Sequence, residues 1–333
     1  MAASVAWTPA GKAALAEERG RLPLVEGDAT KQVKALFKLH APAWKRGLAK
    51  CDAAGRAFAK LALAWKPAGK PNIDQLAGVI ALSTACDNDE QVMPWFARWI
   101  LDEHGIEVAL RVLIAMWPIV PSYKGKKQTT AWLEVLPADH GHIFDTSASS
   151  GKREYARYLS LRAPATRDAA IAKLWPSAPR YVKPALAVAA GDAERGAEIA
   201  RELLKHDEPH AFYAWEELPN LLCDATLVAK TMAKRARVAT FQMIDNLGAK
   251  VLPILEANFD AARDKYSRKR AMELLVNLKS PNVARRLAEY VGQKPYDELV
   301  AAYFAQHPEL LKPLLRDDDL FYHRDDLAKL NAR

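Results

Sequence analysis

The feature that most constrains the fold is the spacing of the apolar residues, which recur three and four positions apart along most of the chain. Between residues 30 and 40, for example, Val33, Leu36 and Phe37 fall on one side of a helix, whereas the lysines fall on another. Sustained apolar/polar alternation and Asn-Gly or Asp-Gly hairpin turns are absent from the sequence. The sequence therefore predicts an all-α protein.

The most regular stripe of apolar and small residues lies between residues 44 and 65. Its members recur at alternating steps of four and three, the spacing with which a helix packs along a partner. A Lys-Pro-Ala-Gly-Lys-Pro segment follows and is expected to end the helix. Residues 30–66 are therefore predicted to form a hairpin of two helices with basic outer faces. The stripe consists of Trp44, Leu48, Cys51, Gly55, Phe58, Ala62 and Trp65.

The rest of the chain also has helical spacing, except for one stretch. Residues 121–152 contain Pro-Ser-Tyr-Lys-Gly-Lys-Lys and Asp-Thr-Ser-Ala-Ser-Ser-Gly-Lys, which are rich in turn-forming residues. We therefore predict three regions: a basic N-terminal helical region (1–120), an irregular loop or junction (121–152) and C-terminal helical repeats (153–333). Outside the hairpin, helices are predicted for residues 73–86, 89–103 and 106–117. Helical pattern resumes at Arg153 and continues through residues 166–174, 182–190, 193–205 and 211–222.

Two segments of the last region have the same layout. Residues 239–259 and 271–291, offset by 32 residues, each contain an apolar helix, a tight turn and a second apolar helix. This period is typical of HEAT-like helical pairs, in which each unit buries its apolar face against its neighbours. The fold prediction is therefore an irregular α-solenoid, or superhelix, of HEAT-like antiparallel helical hairpins.

A family resemblance rests on the runs SPNVARRLAEYV and YFAQHPELLKPLL. Residues 218–315, which contain both runs, resemble the helical-repeat region of large bacterial proteins of the MolR-like, WGR-domain-associated family. The Trp-Gly-Arg module of that family is not visible here, and the resemblance covers under a third of the chain. What it implies is a HEAT-like fold, without a biochemical role.

The basic residues are concentrated at the start of the chain. Residues 1–70 contain 13 Lys and Arg against 5 Asp and Glu, a difference of +8, which equals the net charge of the whole protein. Affinity for anions is therefore expected first in the predicted hairpin. Such side chains can neutralise phosphates of a nucleic acid, or they can be ordinary solvated helix faces. The candidate residues are Lys31, Lys34, Lys38, Lys45, Arg46, Lys50, Arg56 and Lys60.

Motifs for chemistry are weak. His140 and His142 with Asp145 offer too few ligands for a metal site, and the Ser-Gly-Lys run ending at Lys152 does not have the spacing of a phosphate-binding loop. Trp95, Trp99 and Asp102 can share a helix face, as an aromatic pair and an aspartate do in HEAT-like DNA glycosylases. Tryptophans more commonly fill helix cores. We therefore predict no catalytic residue, no metal and no cofactor.

The leading functional prediction is a non-enzymatic helical-repeat scaffold that binds a protein partner of unknown identity. The alternative is nucleic-acid binding through the basic hairpin, with a glycosylase-type activity as an extension. The sequence contains no signal peptide and no apolar run of about 20 residues, and its three cysteines are far apart. A cytoplasmic protein without a membrane partner is therefore expected, and the oligomeric state stays open.

Overall fold

The described residues of the computed structural model are mostly helical, as predicted. They are residues 6–8, 25, 27–66, 70, 72–86, 89–124, 130–137, 150–160, 164–206, 214, 217–234, 240–262 and 264–331. These residues form 16 α-helices and four short strands. None of these helices has the length and apolar character needed to span a bilayer.

The described residues divide into two compact units. One unit comprises residues 22–221. The other comprises residues 222–333 together with residues 1–21, of which residues 6–8 are described. This division differs from the predicted one, because residues 121–152 do not separate two domains.

The described residues of the unit 22–221 are mainly helical and include one antiparallel hairpin, in which β2 (Ile119–Lys124) pairs with β3 (Thr130–Val135). Its core is filled by large aromatic side chains, among them the fully buried Trp44, Phe96, Trp99, Trp117 and Tyr155. Its elements are α1 (Ala29–Gly47), α2 (Ala53–Leu63), α3 (Ile73–Thr84), α4 (Asp89–Met116), β2 (Ile119–Lys124), β3 (Thr130–Val135), α5 (Ser150–Ser160), α6 (Pro164–Leu174), α7 (Lys183–Ala190) and α8 (Ala193–Lys205).

Local sequence explains most helix boundaries. Side-chain oxygens of Asp28, Asp52 and Asn72 accept hydrogen bonds from backbone amides in the first turns of α1, α2 and α3. Gly105, at φ 81°, interrupts α4 between the two helices predicted for residues 89–103 and 106–117. These two predictions are therefore confirmed as the two parts of a kinked helix.

The predicted hairpin of residues 30–66 is present as two helices, but the break between them lies further along the chain. Helix α1 continues through Pro42 to Gly47, and the break covers residues 48–52. Pro42 is tolerated because it lies on the exposed side, where the carbonyl that loses its helical partner can bond to water. The predicted stripe from Trp44 to Trp65 is buried or half-buried throughout.

The prediction of an irregular loop for residues 121–152 was wrong for its first part. Residues 119–124 and 130–135 are the strands of the hairpin, with Pro121 opposite Leu133. The sequence signal was weak because the strands are short and one of them contains a proline. Residues 138–149, which include His140, His142 and Asp145, lie outside the described residues.

The connection between α1 and α2 covers the free edge of β3. The amide of Leu133 donates to Cys51 Sγ at 3.4 Å, and the amide of Val135 donates to Asp52 Oδ2 at 3.2 Å. Glycine is required beside this edge, since a Cβ on Gly47 would lie 1.7 Å from the Ala131 carbonyl oxygen. The β2–β3 hairpin is thus an integral part of this unit.

The other unit begins with a short strand, β1 (Ala6–Trp7), that pairs antiparallel with β4 (Leu278–Lys279). Residues 239–259 and 271–291 each contain two helices joined by a short connection, as predicted. The helices of this unit are α9 (Ala225–Lys234), α10 (Phe241–Leu247), α11 (Leu252–Ala261), α12 (Lys265–Leu275), α13 (Pro281–Ala288), α14 (Asp297–Gln306), α15 (Pro308–Leu314) and α16 (Arg324–Asn331).

Candidate nucleic-acid interface

Helix α1 is anchored by one face and open on the other. Its inner face consists of buried residues such as Val33, Leu36, His40 and Trp44. The indole of Trp44 also donates to the Leu82 carbonyl at 3.1 Å, which fixes the helix against α3. The outer face of α1 is therefore held in a fixed orientation towards solvent.

The outer face of α1 carries a row of four lysines, here called the lysine row: Lys31, Lys34, Lys38 and Lys45. All four side chains are exposed. At 3.6 residues per turn they fall within an arc of about 60°, and they extend over about 21 Å of helix. The row lies on the side of α1 opposite the buried residues.

The lysine row lacks acidic partners. No ion pair of Lys31, Lys34, Lys38 or Lys45 is found among the described residues. The start of α1 also has no acidic residue in its first turn, so Lys31 lies close to the positive end of the helix dipole. Neighbouring like charges three and four residues apart add repulsion. Lys31, Lys34 and Lys38 therefore cost stability and are not explained by folding.

The predicted basic residues at the end of α1 and beyond it have more local roles. Lys45 and Arg46 occupy the last turn of α1, where positive charge is favourable. Arg56 donates to the Cys51 carbonyl oxygen at 3.2 Å and thereby helps to hold the connection between α1 and α2. Lys60 is exposed on α2. The ammonium group of Lys50 lies over the ring of Trp132, 4.7 Å from its centroid.

Trp132 was missed by the sequence-based prediction. Trp132 is half-buried and lies on the outer face of the β2–β3 hairpin. Its indole donates to Glu134 Oε1 at 3.2 Å. Lys124 is on the same face, diagonal to Trp132 in the strand register. The contact with Lys50 thus brings an aromatic ring next to the basic end of α1.

Other basic clusters are largely occupied by structural contacts. On α12, Arg268 donates to the Ala262 carbonyl at 3.0 Å and Arg270 pairs with Glu273. On α13, Arg285 and Arg286 pair with several carboxylates: Asp317, Asp319, Asp260 and Glu289. Lys126, Lys127, Arg235 and Arg237 lie outside the described residues.

Two of the residues considered for base-excision chemistry, Trp99 and Asp102, have contacts within the fold. Trp99 is buried and packs edge-on against Trp65 and His104. Asp102 is exposed and pairs with Arg98 at 3.3 Å. Trp99 is therefore a core residue.

Lys152, which follows the Ser-Gly pair, is also structural. Its buried ammonium group donates to the carbonyls of Trp117 and Ile119 at 2.6 and 2.8 Å. It therefore holds the end of α4 and the start of β2, rather than facing an open phosphate site. No group of three potential metal ligands occurs in the part of the chain that the structure describes.

A small buried polar cluster lies in the unit that contains α14. The Tyr303 hydroxyl donates to the Leu278 carbonyl at 3.1 Å, and burial raises its pKa to about 12. Its ring packs edge-on against His307, whose pKa is lowered, mainly by burial. His307 Nε2 is buried without a hydrogen-bond partner. Nearby, Lys279 Nζ lies 2.6 Å from Glu309 Oε1, and this hydrogen bond lowers the pKa of Glu309.

An open apolar groove of about 990 Å³ separates α9 from α11. Its walls are small residues spaced four apart: Ala225, Ala229 and Ala233 on α9, and Pro253, Ala257 and Ala261 on α11. Met232 and Ile254, both almost fully buried, also line it. Lys250 and Asp264 are its charged lining residues.

Comparison with known proteins gives no relative. No protein-family model matches the chain, and no match was found among curated proteins or solved structures. The resemblance of residues 218–315 to MolR-like proteins therefore stays a prediction.

Proposed function

We propose that this protein binds nucleic acid through the outer face of α1. The observation that carries the proposal is the lysine row, four exposed lysines on one arc of a fixed helix without acidic partners among the described residues. Positions at which a sequence gives up local stability are commonly functional. An anionic ligand would remove the repulsion within the row.

The row suits the sugar–phosphate backbone of a nucleic acid. Successive phosphates present negative charge along a line, and lysine contacts them as a flexible point charge without reading sequence. Binding of this type releases counterions, so affinity falls steeply as salt rises. The proposed activity is thus salt-dependent binding with little sequence preference.

The test is a fluorescence-anisotropy titration of the full chain with short labelled DNA and RNA at two salt concentrations. The double variant Lys34→Glu/Lys38→Glu reverses charge in the middle of the row. The matched control is Lys269→Glu/Lys312→Glu, which changes the net charge equally at two exposed lysines on α12 and α15.

We expect the α1 variant to bind at least about tenfold more weakly at low salt, with a smaller salt dependence, because it loses phosphate contacts. The control should lose about twofold or less. Equal losses in both variants would attribute binding to overall charge and contradict the proposal. Absence of wild-type binding at low salt would also overturn it.

The groove between α9 and α11 favours a second candidate function, binding of a protein partner. We propose as its occupant one amphipathic helix of another protein, inserting large aliphatic side chains between the small residues of the walls. Alanine walls allow close approach of such a helix, and the mainly apolar lining matches its buried face. This is the structural basis for the scaffold prediction.

The groove is tested by photo-crosslinking from residue 257 in its wall, with the exposed residue 302 on α14 as the control position. The expected result is crosslinks to one partner that map to positions three and four apart on a single helix. Crosslinks that are equally frequent from the control position would exclude the groove as a docking site.

We further propose that the helical pairs of residues 241–261 and 265–288 are HEAT-like repeats. Each pair consists of two helices joined by a short connection, and the two pairs follow each other directly along the chain. An experimental structure in which one pair superposes on the other with the same interhelical angle would support this assignment, whereas unrelated angles would contradict it.

A further inference from the structure

Trp132 lies close to the segment that follows the C-terminal end of α1. The ammonium group of Lys50 is 4.7 Å from the centre of its ring, and Lys50 follows directly on the last turn of α1. Lys124 is a diagonal neighbour on the same face of the hairpin. An aromatic ring therefore lies next to two cationic residues just beyond the C-terminal end of α1.

The indole of Trp132 has a hydrogen-bond partner, and the strand that carries it is fixed by contacts of its backbone. Its indole N–H bonds to Glu134 Oε1, and its own strand is fixed by the contacts of Cys51 and Asp52 with the β3 edge. Gly47 and Gly55 allow that edge to approach closely, since a Cβ at either position would meet a β3 carbonyl oxygen at 1.7 or 2.1 Å. A pre-positioned ring loses little entropy when a flat ligand stacks on it.

We infer that Trp132 is a stacking platform for an unpaired base, so that the ligand of the α1 surface is a single-stranded nucleic acid. This inference rests on the proposed function and deepens it. Single-strand binding sites combine a positively charged track for the backbone with aromatic rings for the bases. The bases of a duplex are stacked on one another and do not offer a free face to a half-buried ring.

Glu134 is compatible with this arrangement because its carboxylate accepts the indole hydrogen bond and lies at the edge of the ring. A base approaches the face of the ring, whereas its phosphates lie towards Lys50 and Lys45. Lys50 moves from the ring to a phosphate when the base stacks.

The experiment compares a labelled single strand of thymidines with a duplex of equal length, both titrated with the full chain at low salt. The variants are Trp132→Ala, which removes the ring, and Trp132→Phe, which keeps an aromatic face. Lys34→Glu/Lys38→Glu reports separately on the proposed function. Circular dichroism with thermal melting verifies that each variant is folded.

We expect Trp132→Ala to weaken single-strand binding by about tenfold, the effect of losing one base–aromatic stack, and to change duplex binding by less than about twofold. Trp132→Phe should retain most of the single-strand affinity. If Trp132→Ala weakens both ligands equally or neither of them, the stacking inference is overturned. If Lys34→Glu/Lys38→Glu still weakens binding in that case, the proposed function stands without the stacking inference.

Discussion

Helices α1 and α13 both carry basic residues, and the surroundings of these residues differ. On α13, Arg285 and Arg286 contact four carboxylates, and the guanidinium group of Arg286 also lies over Phe259. On α1, the lysine row has no ion pair among the described residues. The arginines of α13 are thus used within the fold, whereas the lysines of α1 are available to a ligand. Basic residues on two helices of one protein can therefore serve different purposes.

The largest effect is expected from a change that removes the support of α1. Gly47→Val places a side chain 1.7 Å from the Ala131 carbonyl oxygen, so α1 and β3 must separate. We expect a loss of about 3 kcal/mol or more in the free energy of unfolding, measured by urea denaturation. Gly191→Ala, at an open position with φ 66°, is the control for glycine replacement and should cost about 1 kcal/mol. Equal losses in the two variants would show that α1 is not fixed against β3.

The comparison between the two helices is tested directly by alanine substitution. Arg286→Ala should lower the free energy of unfolding by about 1 kcal/mol, because it removes partly exposed ion pairs and the packing over Phe259. Lys34→Ala should leave it unchanged or raise it by a few tenths of a kcal/mol, because like-charge repulsion is relieved. Urea denaturation of both variants measures the difference. A Lys34→Ala loss as large as that of Arg286→Ala would mean that the lysine has a structural role.

The unit that contains α13 should also respond to pH. Burial lowers the pKa of His307 in the folded state, so the unfolded chain binds the proton more readily. Stability is therefore expected to fall as the pH drops below the usual histidine value of 6.5 towards the lower folded-state pKa. The measurement is the urea midpoint of the wild type and of His307→Gln at about pH 7.5 and pH 5.5. The variant should lose less stability than the wild type on acidification, and an identical loss would exclude His307 as the cause.

The smallest effect concerns the start of the lysine row. Asp28 caps α1 through its Oδ1, which accepts from the Lys31 amide at 2.9 Å. Asp28→Asn keeps a capping oxygen but removes a negative charge near the row. Nucleic-acid affinity should rise about twofold at low salt without a change in stability. Anisotropy titration combined with thermal melting measures both, and weaker binding would contradict the assigned position of the ligand.

Local patterns in the sequence predicted the helices and the basic surface because both depend on neighbours within a few residues. The periodicity of residues 30–66 correctly placed the buried stripe. The β2–β3 hairpin was not predicted because its strands are short and Pro121 interrupts the strand signal. Trp132 could not be linked to Lys50, since 82 positions separate them and only the covered edge of β3 brings them together.

The ion pairs that α13 makes with other elements also join residues that are far apart in the sequence, so they could not be predicted from it. Arg286 and Asp260 meet across different helices, and Arg285 reaches Asp317 and Asp319 beyond α15. The sequence alone does not show whether the basic residues of α1 or those of α13 have acidic partners. Only their three-dimensional surroundings separate occupied charges from available ones.

Binding at the lysine row is best tested by lysine-reactivity mass spectrometry of the full chain with and without a saturating single-stranded oligonucleotide. We expect acetylation of Lys31, Lys34, Lys38 and Lys45 to decrease on binding, whereas acetylation of the exposed Lys269 and Lys312 should be unchanged. Protection at Lys269 and Lys312 with none on α1 would place the ligand elsewhere and contradict binding at the lysine row.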